Sequence, residues 1–274
     1  MPELPEVETI VRDLRPGLTG RRLEKVSLLH HDVLRDVTPR GLVRGLTGAT
    51  VRGVERRAKH AVLDLGERRF VVQPGMTGVL VLHERPLKKG EDRHVVLRAR
   101  LDDGRELVYR DIRRFGTLLL LDAAAWAAYD AALGPEPLDD AWTAEGMTRR
   151  FRRSRQAVKK VLMDQKYVVG VGNIYANEAL FFAGIDPARP ANAVSDAEYA
   201  RLHAEVRRVL AESIANKGTT FRDYRTGTGA PGENQGRLQV YGRKGQPCAA
   251  CGGALSETHD IDARTTVWCA RCQR

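Results

Sequence analysis

Hydrophobic positions change their spacing along the chain. Near the start, Val7, Ile10 and Leu14 recur at helical intervals, which predicts an amphipathic helix. That helix is expected to end at Pro16. From residue 22 to 121, short runs rich in Val and Leu are separated by polar turn signals, and this pattern predicts an antiparallel β-sandwich or barrel. Helical spacing then returns, so the predicted fold class is α+β.

The segment from residue 157 to 184 predicts two helices joined by a glycine-rich connection. Gly170 and Gly172 in that connection permit close approach of the backbone to a ligand. The first N–H groups of the second helix would bind an anion such as phosphate, with Asn173 at the rim of the site. A plain helical hairpin, in which the glycines only permit the turn and Asn173 caps the helix, explains the local pattern equally well.

A cationic run before the glycine-rich connection favours the anion site. It consists of Arg149, Arg150, Arg152, Arg153, Arg155, Lys159 and Lys160. The whole chain of 274 residues carries a net charge of +10, from 45 Lys plus Arg against 35 Asp plus Glu. Such an excess favours association with phosphates and makes it sensitive to salt. Nucleic acid is therefore the predicted partner.

The length and the hydrophobic share of 42% suit two domains that each bury a core. No apolar run approaches the roughly 20 residues needed to span a bilayer. The starting segment MPELPEVET also lacks the apolar core of a secretory signal. We therefore expect a cytoplasmic protein without membrane association.

The cysteines of the chain lie near its end as two Cys-x-x-Cys pairs, Cys248 with Cys251 and Cys269 with Cys272. In a reducing compartment this spacing predicts a zinc site rather than disulfides. Four thiolates fill the tetrahedral coordination of zinc and leave no place for water, so the expected role of the one ion is structural. Arg264 lies between the pairs and would project from the metal-bound hairpin into solvent or onto a phosphate.

The N-terminus offers a candidate nucleophile. If Met1 is removed, the chain amine is the secondary amine of Pro2, held in place by the helix that follows. Chain amines have a pKa of about 7.7–8.0, so this group would be partly unprotonated near neutral pH and able to attack an electrophilic carbon. Glu3 beside it would shuttle protons. The structural alternative is a proline-rich start that only sets the entry of the helix.

Three loops of the β-rich region carry unusual residues. Residues 56–60 form a cationic cluster that includes Lys59, residues 73–78 present Met76 in a glycine turn, and residues 111–116 place arginines beside Phe115. Individually, each loop is explained by surface charge or local packing. Together they provide what a protein needs to hold phosphates and to insert side chains between bases.

Domain boundaries follow from the breaks in the pattern. Gly134-Pro135-Glu136-Pro137 predicts a linker, so we expect an N-terminal catalytic domain at 1–132, a helical DNA-binding domain at 133–236 and a zinc finger at 237–274. Within the second domain, Ser195 and Glu198 form a predicted capping box for a helix. The Gly-rich segment 225–236 is expected to be mobile in the free protein and to close over a ligand.

With these motifs located, the chain resembles bacterial formamidopyrimidine-DNA glycosylases nearly end to end. The motifs that carry the resemblance are PELPEVET, RRAKHAVLDL, GMTG, RRFG, LGPEPL, VGVGNIYANEALF, GTTFRDY, QVYGRKGQPC and the cysteine pairs. The resemblance implies an N-terminal antiparallel β-sandwich, a helix–two-turns–helix domain and a zinc finger, with damaged double-stranded DNA bound between the domains of a monomer. It also implies excision of oxidised purines followed by strand cleavage at the abasic site.

The family's functional residues carry over by position. The nucleophile falls on Pro2, the proton donor on Glu3 and a lysine near the phosphate of the lesion on Lys59, which also remains the competing nucleophile. The wedge that fills the gap left by a flipped nucleotide is predicted to be Met76, Arg113 and Phe115. The predicted phosphate contacts are Lys159, Asn173, Tyr241 and Arg264.

Some positions depart from the family pattern. The family often has His-x-His where this chain has Asp92 to His94, and Ile112 replaces a proline before Arg-Arg-Phe. Two rival functions remain open. Endonuclease VIII-like enzymes act on oxidised pyrimidines, but they typically start Pro-Glu-Gly-Pro-Glu, whereas Leu4 stands here. A noncatalytic DNA-binding protein would result if Met1 is retained, because the proline nitrogen would then be an amide.

Overall fold

The computed structural model describes residues 1–88 and 90–274. Its contacts divide the chain into two compact units. The first combines Met1–Ala131 with Asn216–Gln235, and the second combines Ala132–Ala215 with Gly236–Arg274. The break between Ala131 and Ala132 precedes the predicted linker at residues 134–137. The segment 216–235 differs from the prediction, because it packs with the first unit and not with the helical domain.

The first unit begins with helix α1 (Leu4–Leu18), which contains Pro16. The prediction that Pro16 ends this helix is wrong. Leu14 and Leu18 are both fully buried, so the apolar face continues for one more turn and packing holds the helix past the proline. At the other end, the Glu3 N–H donates to Glu6 Oε2 at 2.8 Å and closes the first turn.

Two antiparallel sheets form the body of the first unit, and each has four strands in the described part of the chain. One sheet has the order β1 (Leu23–Leu28), β6 (Val95–Leu101), β7 (Glu106–Asp111) and β5 (Gly78–His83). The other has the order β2 (Gly53–Arg57), β3 (His60–Asp64), β4 (Arg68–Gln73) and β8 (Thr117–Asp122). Helices α2 (Pro39–Leu46) and α3 (Ala123–Ala131) complete this unit. Side chains from α1 and both sheets share one core, so the predicted sandwich is confirmed.

The strand register brings two loops together at one end of the sandwich. Gly78 at the start of β5 pairs with Asp111 at the end of β7, and Gln73 at the end of β4 pairs with Thr117 at the start of β8. The loops 74–77 and 112–116 therefore leave the sheets side by side, and each crosses from one sheet to the other.

The second unit is mainly helical, with α4 (Ala144–Phe151), α5 (Val158–Met163), α6 (Asn173–Ala183) and α7 (Asp196–Ala215). The predicted pair of helices around the glycine connection is confirmed as α5 and α6. Gly184 ends α6 with a φ of 70°, a left-handed conformation that glycine adopts without strain. The predicted capping box also forms, since the Ser195 N–H donates to Glu198 Oε2 at 2.9 Å.

The second unit ends in an antiparallel hairpin of β9 (Ser256–Thr258) and β10 (Thr266–Trp268). Both units together confirm the predicted α+β class. Across the described ranges, no helix is both long enough and apolar enough to pass through a membrane.

Candidate functional site

The chain start is fixed inside the first unit. Pro2 and Glu3 are buried, while Met1 is half exposed. Glu6, one turn into α1, is the residue that ties this corner together: Oε2 accepts the Glu3 N–H, and Oε1 accepts the Thr219 N–H at 2.8 Å. An N-terminal amine placed here would therefore have a fixed position beside a carboxylate. The sequence analysis did not single out Glu6, since its main partner is far away in the chain.

The segment after residue 216 closes the same corner from a second side. Tyr224 is buried in the core of the first unit, and its hydroxyl donates to the carbonyl oxygens of Lys217 at 3.0 Å and of Glu6 at 3.2 Å. Burial, reinforced by the nearby Glu6 charge, raises the pKa of Tyr224, so the hydroxyl remains a donor. These bonds are the physical reason why residues 216–235 belong with the first unit.

The glycine-rich segment that follows is also hydrogen-bonded. The Leu82 N–H donates to the Gly227 carbonyl at 3.2 Å, and the Gly232 N–H donates to Thr220 Oγ1 at 2.8 Å. Its closure over a ligand stays a prediction.

Lys59 lies at the turn between β2 and β3 and is almost fully buried. The turn is held on both flanks. Arg56 Nε donates to Glu8 Oε2 of α1 at 2.9 Å, and Arg57 forms an ion pair with Asp130 of α3. Because Glu3 immediately precedes α1 as its N-cap, the hairpin of Lys59 is linked to the helix that follows the candidate catalytic carboxylate.

His60 stabilises this turn as a neutral ring. Its Nδ1 lies 3.0 Å from the Arg57 carbonyl oxygen, and its Nε2 lies 3.1 Å from the Tyr129 hydroxyl. The geometry fits a proton on Nδ1 and a hydrogen bond donated by Tyr129. Burial lowers the pKa of His60, and the charges of Arg57 and Lys59 lower it further.

The three predicted wedge residues lie on the two adjacent loops 74–77 and 112–116. Met76 is 41% exposed and Phe115 is 61% exposed, which is unusual for large apolar side chains. The Arg113 guanidinium lies 4.4 Å from the centre of the Phe115 ring, in cation–π contact. The structure therefore brings the predicted wedge together and leaves it exposed.

The four cysteines form a cluster in the second unit. Their Sγ atoms all lie within 4.8 Å of one another, with Cys248 and Cys272 at 3.9 Å and Cys251 and Cys269 at 3.5 Å. Tetrahedral zinc with Zn–S bonds of about 2.3 Å requires S···S separations of about 3.8 Å. The donor set and its spacing therefore fit a structural zinc ion.

Helix α6 holds the hairpin that carries Arg264. Asn173 Nδ2 donates to the Thr265 carbonyl at 3.0 Å, and Asn177 Oδ1 accepts the Val267 N–H at 2.7 Å. Arg264 itself is exposed, with Asp262 Oδ2 at 4.0 Å from its Nε. The predicted contacts Asn173 and Arg264 thus lie on neighbouring segments.

Lys159 also contacts the hairpin that carries Arg264. Unlike a phosphate ligand on the surface, however, its side chain is not exposed. The side chain is fully buried, and Nζ donates to the Thr265 carbonyl at 2.9 Å and to Thr266 Oγ1 at 2.7 Å. Its ammonium therefore supports the hairpin. Direct contact of Lys159 with phosphate stays a prediction.

Tyr241 is attached to α6 through Glu178, another residue that the sequence analysis did not single out. The buried Glu178 carboxylate accepts the N–H groups of Gln239, Val240 and Tyr241 at 2.8, 3.0 and 2.8 Å. Burial raises the pKa of Glu178, and the three donors oppose that effect. One helix therefore positions both the hairpin and the segment of Tyr241.

Comparisons with known proteins agree along the whole chain. Residues 1–118 match the family model described as the formamidopyrimidine-DNA glycosylase N-terminal domain, and residues 133–225 match its H2TH domain. The formamidopyrimidine-DNA glycosylase of Stutzerimonas stutzeri is 44% identical over 274 residues, covering 100% of both chains.

Solved structures of Fpg proteins are also similar to this chain. The crystal structure of the MutM (Fpg) protein from Thermus thermophilus is 38% identical, covers 99% of this chain and 98% of that chain, and has a TM-score of 0.87. The Lactococcus lactis Fpg mutant in complex with DNA that contains Fapy-dG is 29% identical, covers 100% of both chains, and has a TM-score of 0.91.

Proposed function

The chain belongs to the formamidopyrimidine-DNA glycosylase family, and from that premise we propose that it is a DNA repair enzyme. It excises oxidised purines, 8-oxoguanine and formamidopyrimidines, from duplex DNA and then cleaves the strand at the resulting abasic site. The observation that carries this proposal is the buried start of the chain, where Glu6 fixes the backbone of Glu3 beside Pro2. A noncatalytic DNA-binding protein has no need for such a fixed amine and carboxylate.

The chemistry begins once Met1 is removed. The Pro2 amine attacks C1′ of the damaged nucleotide, the bond from C1′ to the base breaks, and the base leaves with the proton of the amine. Glu3 then supplies a proton to the ring oxygen as the bond from C1′ to that oxygen breaks, which opens the sugar ring and leaves a cationic iminium. A secondary amine suits this reaction because its imine is permanently cationic and acts as an electron sink.

The iminium then acidifies C2′. Loss of a proton from C2′ expels the 3′ phosphate by β-elimination, and δ-elimination expels the 5′ phosphate. Lys59 acts here by holding the phosphate and sugar of the lesion, which its fixed position on the β2–β3 turn supports. It also remains the competing nucleophile that the experiment below must exclude.

Access to C1′ requires that the damaged nucleotide leave the stack. Met76, Arg113 and Phe115 fill the gap, and their exposure on adjacent loops supports this role. Phosphate contacts from Asn173, Tyr241, Arg264 and Lys159 add affinity, together with the net charge of +10.

One zinc ion bound by Cys248, Cys251, Cys269 and Cys272 would cross-link the hairpin of Arg264 and take no part in the reaction. We expect the enzyme to act as a monomer on damaged double-stranded DNA, in the cytoplasm and at the nucleoid.

The decisive experiment is borohydride reduction during turnover on a duplex that contains 8-oxoguanine. We expect a covalent complex whose DNA maps to the N-terminal peptide, and intact mass should show that Met1 is absent. Glu3→Gln should sharply slow base release. A cleaving enzyme that yields no trapped adduct, or one whose DNA maps to Lys59, would contradict the mechanism. Binding without any cleavage would favour the noncatalytic alternative, and preference for oxidised pyrimidines would favour the endonuclease VIII-like one.

A further inference from the structure

The exposed wedge residues depend on the backbone that carries them, because exposure leaves their side chains little packing against the protein. Met76 lies on loop 74–77, and Arg113 and Phe115 lie on loop 112–116. A wedge that enters a base stack must hold its shape against the unstacking cost of a few kcal/mol per step. The contacts beneath the two loops therefore decide whether they act together.

Asp111 lies directly beneath both loops and is 1% exposed. Within the described residues, its carboxylate accepts three hydrogen bonds. Oδ1 accepts the Thr77 hydroxyl at 2.5 Å, and Oδ2 accepts the Gly116 N–H at 2.8 Å and the Tyr109 hydroxyl at 3.1 Å. One carboxylate thus contacts the end of the Met76 loop and the end of the Phe115 loop.

Thr77 completes the connection. Its hydroxyl donates to Asp111 and also accepts the Arg113 N–H at 3.0 Å. The Thr77 oxygen therefore lies between the two loops and bonds to both sides. Burial and the charge of Asp111 raise the pKa of Tyr109, so its hydroxyl also remains a donor to the carboxylate.

The backbones of the two loops lie so close together that Gly75 and Gly116 have no room for a side chain. A Cβ on Gly116 would lie 1.9 Å from the Tyr109 hydroxyl oxygen, and a Cβ on Gly75 would lie 2.4 Å from the Gly116 nitrogen. Between Arg113 and Phe115, Arg114 has a φ of 53°, a strained value for a residue with a side chain. Such strain persists only where the surrounding structure holds it in place.

We propose that Asp111 is a positioning residue that couples the two loops through Thr77, so that Met76 and the Arg113–Phe115 pair enter the duplex as one rigid wedge. The proposal rests on the proposed function, since a wedge acts only in duplex DNA. It assigns to Asp111 and Thr77 no contact with DNA and no part in the chemistry.

Thr77→Val is the sharpest test, because it keeps the shape of the side chain and removes both hydrogen bonds of the hydroxyl. We expect excision from duplex to fall roughly tenfold to thirtyfold. Borohydride trapping on a single-stranded abasic site, which needs no wedge, should change little. Thr77→Ser restores the hydroxyl and should restore excision.

Thr117→Val is the matched control. The Thr117 hydroxyl lies at the same end of the sandwich and donates to Gln73 Oε1 at 3.1 Å, outside the Asp111 network. This variant should excise from duplex like wild type. If it loses as much activity as Thr77→Val, the effect belongs to the sheet end in general and the proposal is wrong.

A double-mutant cycle measures the coupling itself. Met76→Ala and Phe115→Ala are combined, and 2-aminopurine next to the lesion reports unstacking on binding. In the wild-type background the two losses should be non-additive, and in Thr77→Val they should become additive. Equal coupling in both backgrounds, or equal loss of duplex and single-strand activity in Thr77→Val, would overturn the proposal. If wild type itself fails to cleave, the proposed function has failed instead.

Discussion

The two units each present exposed side chains, but they anchor them differently. In the first unit, the wedge residues lie on two loops that meet at the carboxylate of Asp111. In the second, Arg264 lies on a hairpin that is held by α6, by Lys159 and by the cysteine cluster. An exposed functional side chain needs a buried polar anchor in both cases. The two units differ in the number of independent groups that anchor the exposed side chains.

The hairpin anchors are also chemically varied. Gln273 adds a further one, since its Oε1 accepts the Cys269 N–H and its Nε2 donates to the Ile185 carbonyl, both at 2.9 Å. Loss of a single hydrogen bond should therefore loosen the hairpin only partly. Loss of the proposed zinc ion, which would bind all four thiolates, should release it.

The largest expected effect is that of Cys269→Ser. Structural zinc contributes roughly 10 kcal/mol or more to the folding of small metal domains, so the variant should lose zinc and the hairpin. Affinity for lesion duplex should fall steeply, while hydrogen exchange in β3 and β4 stays as in wild type. Metal analysis and exchange of residues 256–268 check this. Freshly purified wild type without zinc, or a metal-free variant with normal duplex affinity, would contradict it.

Substitution of Met76, Arg113 and Phe115 together by alanine tests the exposed side chains of the first unit. Since the proposed wedge would offset an unstacking cost of a few kcal/mol, duplex excision should fall by roughly a hundredfold. Strand cleavage at a preformed abasic site in single-stranded DNA should change little. Equal loss on both substrates would indicate misfolding instead of a lost wedge.

Lys159→Met tests how much a single anchor contributes to the hairpin. Removal of the ammonium takes a donor from Thr265 and Thr266 but leaves the other anchors, so duplex affinity should fall roughly tenfold. Hydrogen exchange of residues 265–268 should rise in the free protein. Lys160→Met is the matched control for the loss of one positive charge, because Lys160 is exposed and its surface ion pair with Asp262 contributes little to stability. Unchanged exchange in Lys159→Met, with weaker binding, would instead support direct phosphate contact.

Sequence reasoning identified the features whose residues lie close together in the chain and missed those whose residues lie far apart. The four cysteines are recognisable as a candidate metal site because each Cys-x-x-Cys pair is local, and the α5–α6 connection is marked by its own glycines. The anchors are different. Thr77 and Asp111 are 34 positions apart, Lys159 and Thr265 are 106 apart, and Glu6 and Thr219 are 213 apart. No local pattern marks such pairs.

The same reason explains the boundary at residue 216 and the extension of α1 past Pro16. Both depend on burial of particular side chains, Tyr224 in one case and Leu18 in the other, in a core built from distant segments. Family resemblance located the predicted functional residues, but it did not indicate that Lys159 is buried. Only the packed structure distinguishes a cation that supports a hairpin from one that faces solvent.

The smallest expected effect is that of His60, whose neutral imidazole ring stabilises the turn of Lys59. Burial lowers the pKa of His60 below its unfolded value of about 6.5, so the unfolded chain takes up this proton more readily. The contribution of His60 to stability is therefore fully present above pH 6.5 and is lost as the pH falls below that value. Protonation would also place a cation beside Arg57 and Lys59 and remove the acceptor for the Tyr129 hydroxyl.

His60→Gln tests this pH dependence, because glutamine does not titrate. The difference in the free energy of unfolding between wild type and variant should shrink as the pH falls from 7.5 to 5, measured by urea unfolding. Taking the difference cancels the other histidines, which both proteins share. Hydrogen exchange of residues 60–64 assigns the effect to the turn. A difference that stays constant with pH would show that His60 is protonated as easily in the folded protein as in the unfolded chain, and that its neutral form does not stabilise the Lys59 turn.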